Sequence, residues 1–155
     1  MSNEGTLFAF LAVWSFIFFL FLAIGILLYI FTSMGLYKLA SNQKLENPWL
    51  SWIPVANMYI LGKLIKNLKL DTLEIPSIEL ILSLGFFAVL ILRFIPLFGW
   101  IIGAAYTVLC ILALYKLFKI YRPDQAVLWI ILSIVLPFMG PIFIFIIRND
   151  SPVSQ

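Results

Sequence analysis

The chain has no histidine, a single cysteine and few charges, since only 11% of its 155 residues are charged. Without histidine it has neither a Ser-His or Cys-His catalytic pair nor a His-Glu-x-x-His zinc motif. The lone Cys110 cannot form an intramolecular disulfide, and we interpret it as a small buried hydrophobe. All three aspartates, Asp71, Asp124 and Asp150, fall in predicted connectors or the tail, which excludes an intramembrane aspartyl pair. We therefore predict no enzymatic activity, no bound metal and no other cofactor.

Hydrophobic residues are abundant instead, at 64% of the chain. A soluble domain contains about 45–50% apolar residues, so this chain has too little polar surface to cover a core in water. The lipid bilayer must serve as part of its solvent. The composition predicts an integral, multi-pass protein of the cell (plasma) membrane.

Three long uncharged runs occupy residues 7–37, 94–115 and 126–147. Twenty apolar helical residues, or about 30 Å, are enough to cross a bilayer. We predict an all-α polytopic membrane bundle, in a single domain over residues 1–155, with four transmembrane helices. Their predicted positions are about 8–30, 76–95, 100–120 and 126–147.

A shorter apolar segment, about 49–69, lies between the first two predicted spans. Its uncharged part is too short to cross a bilayer, and Pro54 interrupts it. We predict a short interfacial or re-entrant helix, and the sequence leaves that choice open. Helical spacing places Met58, Leu61, Ile65 and Leu68 on one apolar face.

Basic residues are distributed unevenly among the predicted connectors. Eight lie in connectors 38–79 and 116–124, whereas Arg93 and Arg148 lie on the other side. The positive-inside rule then predicts cytoplasmic basic connectors and two extracellular termini. A basic surface beside a bilayer attracts anionic lipid headgroups, so we predict lipid and not nucleic acid as its charged partner. The eight residues are Lys38, Lys44, Lys63, Lys66, Lys69, Lys116, Lys119 and Arg122.

Five polar or hinge positions are candidate functional residues. Asn57 lies in an apolar segment, where its amide either binds a ligand or satisfies a turn. Glu79 and Arg93 form either part of a polar path or two charges that snorkel to opposite leaflets. Pro137 and Pro141 mark either a hinge or a static kink in the last helix.

Two further patterns each have two interpretations. Thr32, Ser33 and Gly35 are either a small-residue packing face or a helix end among headgroups. Leu-Tyr-Lys-Leu occurs at 36–39 and again at 114–117, and each copy is followed by a proline, a tryptophan and a second proline. This echo is either a degenerate parallel repeat or a product of the biased composition.

The segment Pro-Trp-Leu-Ser-Trp-Ile-Pro-Val-Ala-Asn-Met-Tyr at 48–59, followed by Ile95-Pro96 and a proline-rich last helix, carries a resemblance. Over about residues 30–148 the chain resembles a family of small uncharacterised bacterial four-helix membrane proteins. Members have a Trp, Ile-Pro, Asn and Tyr segment after the first span. The resemblance implies this topology and supplies no catalytic residue.

We therefore predict a non-enzymatic module that binds another membrane protein or peptide, as an accessory subunit or an immunity-type protein does. The alternative is a small oligomeric transporter or channel, for which the interrupted last helix and the 49–62 segment are the motivation. Either reading allows a membrane-protein partner or a homo-oligomer.

Overall fold

A computed structural model describes residues 3–66, 68–70, 73–92, 94–95 and 98–153 of the chain. The described part is predominantly α-helical, which confirms the predicted helical class. Its helices are α1 (Asn3–Asn42), α2 (Ala56–Ile65), α3 (Ile78–Leu92), α4 (Phe98–Tyr121), α5 (Ala126–Val135) and α6 (Met139–Ile146). Two 3₁₀ segments, Pro48–Trp52 and Ile147–Asn149, and a β-hairpin of β1 (Leu68–Leu70) and β2 (Leu73–Ile75) complete the described elements.

Two of the described helices, α1 and α4, are long and apolar enough to cross a membrane. This is the part of the membrane prediction that the helix lengths support. The other apolar helices, including α3 and α5, have 10–17 residues.

The 40-residue helix α1 has two parts with different surroundings. Residues 4–27 are exposed along their whole length, whereas residues 28–42 pack against the rest of the protein. Ser33 and Gly35 are buried, and a methyl group placed on Gly35 would lie 2.7 Å from the Ile144 carbonyl oxygen. These two residues therefore form the packing face that was one of the two predicted readings.

Helices α3 and α4 form an antiparallel pair. The Tyr106 hydroxyl donates a hydrogen bond of 2.8 Å to the Leu82 carbonyl oxygen, and Gly85 lies against the Tyr106 ring. At the other end of α3, Glu79 lies so close to Gly62 of α2 that only glycine leaves enough space between the two helices.

Residues 43–65, here called the first hairpin, run back alongside α1 from its C-terminal end and then return as α2. The hairpin starts at Gln43, whose amide contacts Tyr121, and reaches Trp52, whose carbonyl accepts a 2.6 Å hydrogen bond from the Tyr29 hydroxyl. Tyr29 precedes the end of α1 by 13 residues, or about 20 Å of helix. Val55 then reverses the chain with φ at 74°, a conformation that β-branched residues rarely adopt.

The returning helix α2 uses the predicted apolar face. Leu61, Ile65 and Leu68 are buried, whereas Lys63 is exposed and lies over the Tyr59 ring. The helix covers only Ala56–Ile65, and Leu68 belongs to β1. It is therefore shorter than the sequence pattern predicts, because the chain leaves helical geometry at Lys66, where φ is 59°.

Residues 126–147, here called the second hairpin, also fold back on themselves. The Trp129 ring in α5 stacks on the Phe143 ring in α6, with centroids 4.5 Å apart. In one continuous helix these rings would be separated by about 21 Å along the axis. Ser133 likewise lies beside Gly140. The reversal takes place at Leu136–Phe138, where Pro137 provides no backbone donor and Leu136 leaves helical geometry.

Residues 126–147, predicted as one last helix with a kink or a break, form two helices that fold back on each other. The predicted break is present, but it turns the chain back and does not merely bend it. Asn42 at the C-terminal end of α1 donates a hydrogen bond to the Arg148 carbonyl. The described C-terminal segment therefore lies at that end of α1, far from the helix's N-terminal end.

The hydrophobic core lies where the two hairpins meet the C-terminal halves of α1 and α4. Phe118 is fully buried and makes edge contacts with both Trp129 and Phe143, at centroid distances of 5.6 and 6.0 Å. The core is almost entirely apolar, since the described buried polar residues are Ser33, Ser51 and Asn57.

Candidate functional site

A polar cleft of about 630 Å³ opens at the end of the protein where α1 and α4 terminate. We call this the basic end, because most basic residues belong to elements that meet there. Four chain segments contribute to the cleft, although they are far apart in sequence. Its lining residues are Asn42, Gln43, Leu45, Lys66, Tyr121, Asn149, Asp150, Ser151 and Pro152.

Hydrogen bonds hold these segments together. The Gln43 amide donates to the Tyr121 hydroxyl at 2.7 Å, and the Asn42 amide donates to the Arg148 carbonyl at 3.2 Å. The Val153 backbone N–H donates to the Ile120 carbonyl at 2.8 Å. The tail is therefore attached to the ends of both long helices.

An ion pair adds a further link between α4 and the tail. Arg122 Nε donates to one Asp150 carboxylate oxygen at 2.6 Å, and Nη2 donates to the other at 3.3 Å. The hydrogen bond from Arg122 to Asp150 is the main cause that raises the pKa of the guanidinium. The pair is solvated, so we assign it to positioning the tail and not to holding the fold together.

The chemistry of the cleft is that of a polar binding surface. It contains three side-chain amides, the hydroxyls of Tyr121 and Ser151, the Lys66 ammonium group and the paired Asp150 carboxylate. Within the described ranges, no three Cys, Asp or Glu side chains gather as metal ligands do.

The five predicted positions lie elsewhere and on separate elements. Asn57 is buried at the second residue of α2, directly after the reversal of the first hairpin. Glu79 is in the first turn of α3. Pro137 is exposed at the reversal of the second hairpin, and Pro141 lies in the first turn of α6. Arg93 lies outside the described residues.

None of the four described positions lines the cleft. Sequence reasoning missed the cleft because its residues are ordinary polar residues of connectors and the tail. The proline-rich reversal was a usable signal, since only a full return of residues 126–147 brings the tail to the end of α1.

The two copies of Leu-Tyr-Lys-Leu have matching structural surroundings. Each ends a span-length helix at the basic end, and each is followed by a hairpin that folds back. The second proline of each copy, Pro54 or Pro137, lies at the reversal. The structural correspondence therefore favours the parallel-repeat reading of the echo.

Comparison of the chain with protein families, with curated proteins and with solved structures finds no match. The family resemblance stays a prediction.

Proposed function

We propose that the protein is an integral membrane protein with three crossings, formed by α1, α3 and α4. In this arrangement the two hairpins are re-entrant elements that enter and leave on the cytoplasmic side. Helices α2 and α5 have ten residues each, or about 15 Å, which is half of a hydrocarbon core. Helix α3 has 15 residues, which is short for a crossing. We include it because it runs antiparallel to α4, which is long enough to cross.

The reversal residues support this arrangement because they are apolar and exposed. Trp52 and Ile53 at the first hairpin are 44% and 42% exposed, and Val135 and Phe138 at the second are 68% and 43% exposed. In water such surfaces would be unfavourable, whereas in hydrocarbon they face lipid. Trp52 then lies within the hydrocarbon and not at headgroup depth.

Charge placement also supports three crossings. With the second hairpin folded back, Arg148 joins the eight basic residues at the basic end, and Arg93 is the one basic residue assigned to the other side. Nine against one is a stronger positive-inside asymmetry than eight against two. The proposed orientation therefore has an extracellular N-terminus and a cytoplasmic C-terminus.

For the activity, we propose a non-enzymatic module that binds a transmembrane helix of another membrane protein. The observation that carries this proposal is the complete exposure of α1 over residues 4–27. This stretch is about 36 Å long and extends past the packed part of the protein. Because the side chains of this stretch are exposed, its surface is available to a helix of another protein.

Small residues indicate which face of α1 binds. At 3.6 residues per turn, Gly5, Ala9 and Ala12 lie within about 60° of one another. Large aromatic residues, among them Trp14 and Phe18, lie on the opposite face. Small residues allow helix backbones to approach closely in lipid, so the small face suits a partner helix and the aromatic face suits lipid.

Site-specific photocrosslinking in cells tests the proposed partner. A photoreactive residue at Ala12 should yield a protein adduct larger than the chain, and the same residue at Phe18 should yield about a tenth as much. Equal yields at both positions, or lipid adducts alone at both, would contradict the proposal. An adduct with the mass of two chains would support a homo-oligomer in place of a different partner.

The channel alternative has less support within one chain. The described core contains three buried polar residues, two serines and Asn57, and the polar cleft is confined to one end. A conducting path would therefore have to form between chains. Ion flux through reconstituted protein that is abolished by crosslinking at Ala12 would favour this alternative.

A further inference from the structure

We propose that the protein is wedge-shaped across the bilayer and therefore concentrates where the leaflet at its basic end is convex. This inference rests on the three-crossing arrangement proposed above. It adds a preferred membrane geometry, which neither helix count nor partner binding requires.

The wedge follows from the number of segments in each leaflet. Near the basic end seven segments lie side by side, namely α1, the 3₁₀ arm of the first hairpin, and α2 to α6. Beyond the two reversals, the described elements that continue are α1, α3 and α4. A helix with its side chains is about 10 Å wide, or about 80 Å² in section, so the basic half is wider by about 300 Å².

Three contacts prevent the wide half from collapsing or spreading. The aromatic cluster of Phe118, Trp129 and Phe143 fixes the second hairpin to α4. The backbone approach of Gly35 to Ile144 fixes α6 to α1, and that of Gly62 to Glu79 fixes α2 to α3. Because packed interiors are nearly incompressible, the wide half displaces lipid as a single body.

The half of the protein beyond the two reversals, here called the narrow half, is exposed and not packed. Residues 4–27 of α1 are exposed on all sides, and so are Leu90 and Ile91 of α3 and Trp100 and Ile101 of α4. Lipid therefore surrounds α1 and the α3–α4 pair separately, and their leaflet needs little extra area. A protein that expands one leaflet more than the other is most stable where the expanded leaflet is on the outside of the curve.

The inference is tested by counting molecules on single vesicles of different diameters. The full chain, with Cys110 replaced by alanine and a dye on Ser2→Cys or Ser154→Cys, is reconstituted in phosphatidylcholine and phosphatidylglycerol vesicles. An impermeant quencher distinguishes dyes outside the vesicle from those inside. Surface density is then plotted against vesicle diameter for each orientation separately.

Molecules with the C-terminus outside should be enriched about threefold on the smallest vesicles relative to the largest, because interfacial insertion is sensitive to curvature. Molecules with the C-terminus inside should be depleted on the same vesicles. If the two orientations show opposite trends, lipid composition and hydrophobic mismatch are excluded as causes of the enrichment, because neither depends on which way the protein faces.

Equal densities at all diameters, or the same trend in both orientations, would overturn the wedge. The two dyes also distinguish this failure from failure of the three-crossing arrangement. Dyes at Ser2 and Ser154 that are quenched from opposite sides, without a curvature trend, refute the wedge alone. Dyes quenched from the same side refute the arrangement and the wedge together.

Discussion

Replacing Gly62 with alanine is expected to destabilise the protein by about 3 kcal/mol, near the upper end of typical overpacking effects. The new methyl group would lie 2.6 Å from the backbone nitrogen of Glu79 and closer still to its Cα. Backbone atoms cannot turn aside as a flexible side chain does, so α2 and α3 would have to separate. The free energy of unfolding in mixed micelles measures this effect.

Gly103→Ala in α4 is the matched control. A methyl group there meets nothing within 4 Å, so alanine should be neutral or stabilising by up to about 1 kcal/mol through helix propensity. If Gly62→Ala is as stable as Gly103→Ala, then α2 does not pack on α3 as described.

Replacing Phe118 with alanine is expected to cost about 3–5 kcal/mol, the usual range for a buried aromatic residue. Its ring is fully buried against Trp129 and Phe143. The substitution therefore leaves a cavity between α4 and the two arms of the second hairpin. The same unfolding measurement, followed by tryptophan fluorescence, should show the loss together with a changed environment of Trp129.

Phe98→Ala provides the comparison in the same helix. Phe98 is 62% exposed at the far end of α4, so its removal should change the unfolding free energy by less than about 0.5 kcal/mol. Equal effects at both positions would show that the second hairpin does not close on Phe118.

Much of the local structure can be predicted from the sequence. Long uncharged runs identify α1 and α4, and helical spacing identifies the buried face of α2 that includes Leu61 and Ile65. Ser33 and Gly35 have the size that close helix packing requires, and Gly35 does contact Ile144. Each of these features depends on neighbouring residues along one helix.

The direction of the chain after Pro137 could not be predicted in the same way. A proline removes a backbone hydrogen bond and breaks a helix, but it does not specify whether the chain bends or returns. The apolar run of residues 126–147 has the length of a span, so its composition fits both outcomes. What selects the return is the stacking of Trp129 on Phe143, a contact between residues that no helical period relates.

The polar cleft was unpredictable for a related reason. Its residues come from four segments, and Asn42, Lys66 and Asp150 meet only after both hairpins have returned. The exceptional position of Arg148 in the predicted charge pattern was a usable sign. In the predicted four-helix arrangement Arg148 is one of two basic residues, with Arg93, outside the basic connectors, and the return of the second hairpin brings it to the end of α1.

The side of the membrane on which Ser154 lies distinguishes a second hairpin that returns from one that crosses the membrane. Single cysteines at Ser2, Ser41 and Ser154, each in a Cys110→Ala background, are labelled with an impermeant thiol reagent in intact and in permeabilised cells. The returning second hairpin predicts that Ser154 behaves as Ser41 does, labelled only after permeabilisation, whereas Ser2 is labelled in intact cells. Labelling of Ser154 together with Ser2 in intact cells would contradict the account, because residues 126–147 would then cross the membrane.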